Sequence, residues 1–238
     1  MKFENEIICG DCLDVMKDWP DGCVDLVLTD PPYGIDYQSN MRVVSTKFAK
    51  LENDNNDSRL VCYRDMYRLM KANTVAVAFC SYKNYAVDYA VLESLFDIKN
   101  AIIWFKGGGG IGDLDHSLST DYEIVLICHK GRKKINGKRI GSVWHIPKVD
   151  PLKMVHPTEK PALLLQRLIK YYSNPDDLIF DPYIGSGTTC VAAKMLGRRY
   201  IGIDISPEYC QIAKDRLRAV DTGVPVKEAR AGQGALFE

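Results

Sequence analysis

The sequence predicts an α/β fold, a mostly parallel sheet with helices on both faces. Seven short apolar runs alternate with six helical patterns, which is the signature of that class. A length of 238 residues is enough to close one such core without disulfide or metal staples. Two of the runs end abruptly in turns built from Asp, Pro and Gly, where a strand has to stop.

Taken in order, Glu6–Cys9 reads as the first strand and Cys12–Trp19 as the first helix. Val24–Thr29 is an apolar strand that Pro31 and Pro32 terminate, because neither can continue a ladder. Arg59–Lys71 is helical, Thr74–Cys80 is a strand, and Lys83–Phe96 is helical again. Ala101–Phe105 and Glu123–Cys128 are the next strands. The helix Lys160–Tyr172 precedes the strand Leu178–Asp181. Thr188–Leu196 is a helix that Gly197 ends in the left-handed conformation. The strand Tyr200–Asp204 then leads to the helix Pro207–Ala219, where Ser206 suits the cap and Pro207 the first helical position. Three stretches break the alternation: a polar loop at Gln38–Ser58, a glycine-rich segment at Lys106–Gly112, and a tail from Val220 without periodicity.

Composition narrows the class. Hydrophobic content of 46% with 26% charge excludes a disordered, collagen-like or membrane-embedded chain. The apolar stretch Val75–Cys80 is too short to cross a bilayer, and the charged start lacks the apolar centre of a signal peptide. A cytoplasmic address with eight reduced cysteines is the expectation. Cys9 and Cys12 have metal-like spacing but no second pair, so no metal site is expected. The zero net charge hides an asymmetry. Lys130, Arg132, Lys133, Lys134, Lys138, Arg139 and Lys148 fall in a stretch with no acidic residue, leaving 24 Lys and Arg against 31 acidic residues elsewhere. A basic patch on an otherwise acidic chain suits docking of a polyanion.

Two motifs carry chemistry. The strand ending at Asp181 runs through Pro-Tyr183-Ile-Gly185-Ser186-Gly187-Thr188 into a helix, a turn that lets a ligand reach the backbone and free amides. Asp204 ends the next strand nineteen residues after Gly185, the position from which a carboxylate grips ribose hydroxyls. Cys190 replaces the third glycine of a dinucleotide fingerprint, which disfavours a pyrophosphate and a nicotinamide dehydrogenase. A nucleoside bearing an amino acid, such as S-adenosylmethionine, fits better. The second motif is Asp30-Pro31-Pro32-Tyr33. It gathers a carboxylate, a free backbone carbonyl and an aromatic face, the set needed to bind an exocyclic amine on a planar base.

Together these motifs resemble the β-type DNA amino-methyltransferases, which modify adenine N6 or cytosine N4. Cys9-Gly-Asp11-Cys12, Ile103-Trp104-Phe105-Lys106 and His156-Pro-Thr158-Glu-Lys160-Pro161 extend the resemblance over residues 6 to about 218. It implies a circularly permuted Rossmann-like methyltransferase fold with a seven-stranded, mostly parallel sheet. It also implies one domain over 1–219: a catalytic half 1–128, a short target-recognition insert at about 129–155 and a cofactor half 156–219, with a flexible tail 220–238. By the same resemblance Asp11 and Cys12 meet the adenine of S-adenosylmethionine and Asp204 its ribose. Asp181, Tyr183, Gly185, Ser186, Gly187 and Thr188 line the cofactor turn, while Thr158 and Lys160 lie near the methionine end. Asp30, Pro31, Pro32 and Tyr33 become the catalytic set, acting on adenine N6 of double-stranded DNA by direct transfer after base flipping. Asp30 favours adenine, because cytosine-N4 members more often carry Ser there. Cytosine N4 is the alternative, and a catalytically idle DNA-binding or cofactor-sensing module is the alternative of another class.

Target reading is expected from the basic run. Asn136-Gly137 between basic arms is a hairpin signal, so a β-ribbon would carry Lys130, Arg132, Lys133, Lys134, Lys138 and Arg139 to DNA. Family members often pair, which makes a homodimer a further expectation. Gln233 to Phe237 resembles the short peptide by which bacterial DNA enzymes dock on the sliding clamp.

Overall fold

A computed structural model describes residues 4–31, 56–108, 115–116, 118–150 and 159–223. Pro32, Tyr33, Thr158, most of the Gln38–Ser58 loop and the clamp-like Gln233–Phe237 lie outside the described residues.

Among the described residues, eight strands and six helices follow one another: β1 (Glu6–Cys9), α1 (Cys12–Met16), β2 (Val24–Thr29), α2 (Asn56–Leu69), β3 (Met70–Cys80), α3 (Tyr85–Glu93), β4 (Asp97–Phe105), β5 (Tyr122–Lys130), β6 (Val143–His145), α4 (Ala162–Tyr172), β7 (Leu178–Asp181), α5 (Thr188–Met195), β8 (Arg199–Asp204) and α6 (Pro207–Thr222). They form one sheet in the order β1-β8-β7-β2-β3-β5-β4-β6. Only β5 runs against its neighbours. The expected seven-stranded sheet is therefore corrected to eight. Sequence reasoning missed β6, a three-residue strand too short to show alternation; Trp144 anchors it, buried and with the Arg167 guanidinium 4.6 Å from its ring.

Two hydrophobic clusters cover the two faces. On one, Leu26, Leu28, Val77 and Phe79 meet Leu164, Leu165 and Leu168 of α4 and the buried sides of α5 and α6. On the other, Val27, Ala76, Ala78 and Phe180 meet Met16 of α1 and Cys62, Tyr63 and Met66 of α2. Alternating side chains of the central strands thus point into opposite layers, which is why these strands read as continuous apolar runs rather than alternating ones.

Sheet order decides where chemistry can occur. From β7 the chain winds outward through β8, and from β2 it winds the other way through β3. The two central strands are parallel neighbours, with Val27 beside Phe180. A crevice opens beyond the carboxyl ends of strands at such a reversal. Asp30 leaves β2 and Asp181 ends β7 on that rim.

The basic run behaves differently from the expectation. The Asn136-Gly137 hairpin does not form, and residues 131–142 contain no strand. Asn136 is bound instead by α4 and the turn after it: its N–H donates to the Tyr171 carbonyl at 2.8 Å and its side-chain amide to the Ser173 carbonyl at 2.8 Å. That local competition removes the free turn a ribbon needs. Lys130 is folded inward, donating to the carbonyls of Tyr67 and Met70 at 2.7 Å each. Thr74 pairs with Lys130 and Cys80 with Ile124, so β5 starts on the Asp30 rim and ends at the opposite edge. The run therefore departs from the far edge of the sheet.

Candidate active site

Each site residue is held by the end of a strand. Asp11 caps α1, its carboxylate accepting the Leu13 N–H at 2.9 Å. Gly10 N–H donates to the Asp204 carbonyl at 2.9 Å, which ties the loop after β1 to the end of β8. Asp204 accepts the Gly185 N–H at one carboxylate oxygen and the Ser206 N–H at the other, both at 2.9 Å. Cys12, Cys62 and Tyr183 bond to one another, and burial pushes the Tyr183 hydroxyl far above its ordinary range. Cys12, Tyr183, Gly185 and Asp204 thus share one end of the sheet.

The glycine turn is braced from behind. Gly185 and Gly187 have φ of +50° and +82°, in the region that favours glycine. A Cβ on Gly187 would lie 2.5 Å from the Ala213 Cβ, so this glycine admits α6 rather than a ligand. Arg216 of α6 donates to the Ser186 carbonyl and hydroxyl at 3.0 and 2.8 Å and to the Thr188 hydroxyl at 3.0 Å. It also pairs with Glu159 at 2.8 Å. Ser186 and Thr188 therefore hold the shape of the turn through Arg216, a residue the sequence gave no reason to single out.

Asp181 is buried, accepting the Tyr183 N–H at 3.0 Å and the Thr189 hydroxyl at 2.7 Å. Burial raises its pKa to about 7 against these bonds, and the charge of Asp30 adds to the rise.

Asp30 pairs with Lys160, whose side chain is 8% exposed. Lys160 lies 3.2 Å from one Glu123 oxygen, and Lys106 lies 3.2 Å from the other. The face of Phe79 is 5.1 Å from the Lys160 ammonium. Burial drives the Glu123 carboxyl up, but Lys160 and Lys106 outweigh it and leave the group below the usual carboxylate range. Burial likewise pulls Lys160 down, and Asp30 and Glu123 outweigh it. Glu123 and Lys160 are thus held as ions. Sequence reasoning set Lys160 near a cofactor; here its partner is the Asp30 carboxylate. Glu123 and Lys106 were missed as site residues. Lys106 closes one of the segments that carry the resemblance, but no local pattern links it to Glu123; only the pairing of Trp104 with Glu123 and Phe105 with Tyr122 sets them side by side.

The comparisons decide the family. Residues 24–215 match the family model described as DNA methylase, N6/N4 methyltransferases. The chain belongs to that family. Among relatives of this methylase, M2.DpnII, a type II methyltransferase of Streptococcus pneumoniae, is 34% identical over 82% of this chain and 83% of its own. The DNA adenine methyltransferase YhdJ of Escherichia coli is 31% identical over 91% of this chain and 84% of its own. The structure of M1.HpyAVI in complex with SAM (S-adenosylmethionine) superposes with a TM-score of 0.70 at 29% identity, covering 89% of this chain and 98% of that one. The cytosine-N4-specific PvuII methyltransferase, at 17% identity and a TM-score of 0.72, covers 94% of this chain and 89% of its own and shares the fold.

Proposed function

We propose that this methylase transfers the methyl of S-adenosylmethionine directly to N6 of adenine in double-stranded DNA. The carrying observation is a carboxylate, Asp30, at the reversal point of the sheet, beside the buried Asp181 that opens the glycine turn. The turn suits this cofactor. Asp204 would meet the ribose hydroxyls, Asp11 and Cys12 border the same end of the sheet, and the ring of Tyr183 would stack on the cofactor. Bound there, the cofactor supplies an electrophilic methyl on a positively charged sulfur.

What remains is to make a poor nucleophile attack. The amine lone pair of adenine is conjugated into the ring. Asp30 accepts one amine hydrogen and the Pro31 carbonyl the other, which favours a pyramidal nitrogen with its lone pair exposed. Pro32 and Tyr33 belong to the same catalytic set, Tyr33 to stack on the extruded base. Positioning and electrostatics carry the rate, with no covalent enzyme intermediate. Asp30 in place of Ser supports adenine over cytosine, as does the likeness to the DNA adenine methyltransferase YhdJ.

DNA treated with the enzyme and labelled cofactor, then digested to nucleosides, is expected to carry label in N6-methyladenine. Label in N4-methylcytosine would overturn the base assignment. Asp30→Ala is expected to lower transfer by at least about 100-fold while cofactor binding by calorimetry persists. Transfer at the wild-type rate would end the assignment of Asp30.

A further inference from the structure

Lys160 and a base amine draw on the same Asp30 carboxylate. In this structure the Lys160 ammonium pairs with one oxygen of that carboxylate, and the ion pair weakens it as an acceptor for an amine. The ammonium is already shared: Glu123 lies 3.2 Å from it, and the Phe79 ring is 5.1 Å away.

We propose that Glu123 is a positioning residue that takes over Lys160 when a flipped base claims Asp30, and that Lys106 sets how strongly it does so. The inference rests on the reading of Asp30 as the amine acceptor. Lys106 competes for the same Glu123 carboxylate, 3.2 Å from its other oxygen. Removing the charge of Glu123 leaves Asp30 as the carboxylate that holds Lys160 among the described ion pairs. Removing Lys106 frees Glu123 to draw Lys160 away from Asp30. The two changes act on base entry with opposite sign, whereas a merely structural network would suffer from either.

The test is steady-state transfer from labelled S-adenosylmethionine to unmethylated plasmid DNA, with KM for DNA, KM for cofactor and kcat measured separately. Glu123→Gln is expected to raise KM for DNA about tenfold, the size of one charged contact. Lys106→Gln is expected to lower KM for DNA by about threefold, again with the change falling on KM for DNA rather than KM for cofactor. A rise in both variants, or a loss that falls on cofactor KM, overturns the role of Glu123. If Glu123→Gln does not fold by circular dichroism, the sign of the Lys106→Gln effect alone decides. Wild-type protein that labels no DNA would overturn the Asp30 reading together with this one, whereas active wild type with same-sign variants overturns only the Glu123 seat.

Discussion

At the residue scale, Asp181 couples the site to stability. Burial holds its proton until about pH 7, against an ordinary aspartate value of 3.8. Between those values the native chain keeps a proton that the unfolded chain has released. Stability from this group is therefore complete below about pH 4, falls as pH rises toward 7, and stays low above. Asn at this position carries no such proton. Asp181→Asn is expected to raise Tm at pH 8 by roughly 3 °C or more, with the gain vanishing toward pH 4. Thermal melts across that range check it, and parallel profiles for the two proteins would refute it. A buried carboxylate kept at this cost, beside Asp30, is consistent with selection for the site rather than for stability.

Close packing of elements explains the glycines of the cofactor half. Gly187 has both a left-handed backbone and a neighbour in the way, since its Cβ would meet the Ala213 Cβ at 2.5 Å and its Cα at 3.0 Å. Gly197, which ends the same helical run, has φ of +68° and nothing within 4 Å of a Cβ. The pair separates backbone strain from collision. Gly197→Ala is expected to cost about 1 kcal/mol and Gly187→Ala about 2–4 kcal/mol, measured by urea unfolding. Equal costs would mean that α6 moves aside freely. Gly202 follows the same logic: a Cβ there would meet Ile184 Cγ2 at 2.4 Å and Cys190 Sγ at 2.8 Å. Close contact between helix and strand is achieved on β8, which is why α5 can carry Cys190 where a dinucleotide fingerprint has glycine.

For the whole molecule, the sheet has an active rim and an opposite edge. Tyr82 and Lys83 follow β3 on the active rim, and Lys148, whose N–H donates to the Lys106 carbonyl at 3.2 Å, lies beside β4 there. Both lysines are exposed. The run from Arg132 to Arg139 leaves β5 at the other edge. A duplex that feeds a base to Asp30 lies across the rim. Replacing Lys83 and Lys148 by Ala is expected to weaken binding of a short duplex and reduce its salt slope by one to two phosphate contacts, about 1–2 in log–log slope. Replacing Lys133, Lys134, Lys138 and Arg139 is expected to leave that slope unchanged. The reverse outcome would restore the basic run as the principal DNA contact.

The sequence by itself determined the fold class, the seven longer strands and the strand ends that carry Asp30 and Asp181. Those signals are local: apolar runs, caps such as Ser206, stops such as Gly197, and Asp, Pro and Gly at strand ends. It also determined the family, because the motifs stand in one order along the chain. Tertiary structure decided what depends on meetings between distant residues. Asp30 and Lys160 are 130 positions apart yet form one ion pair, and Lys106 joins Glu123 only because β4 and β5 are antiparallel partners. The hairpin failed for the same reason. Asn136 has a strong local preference, but the carbonyls of Tyr171 and Ser173 at the end of α4 accept its N–H groups, and hydrogen bonds made across the fold override a two-residue turn signal.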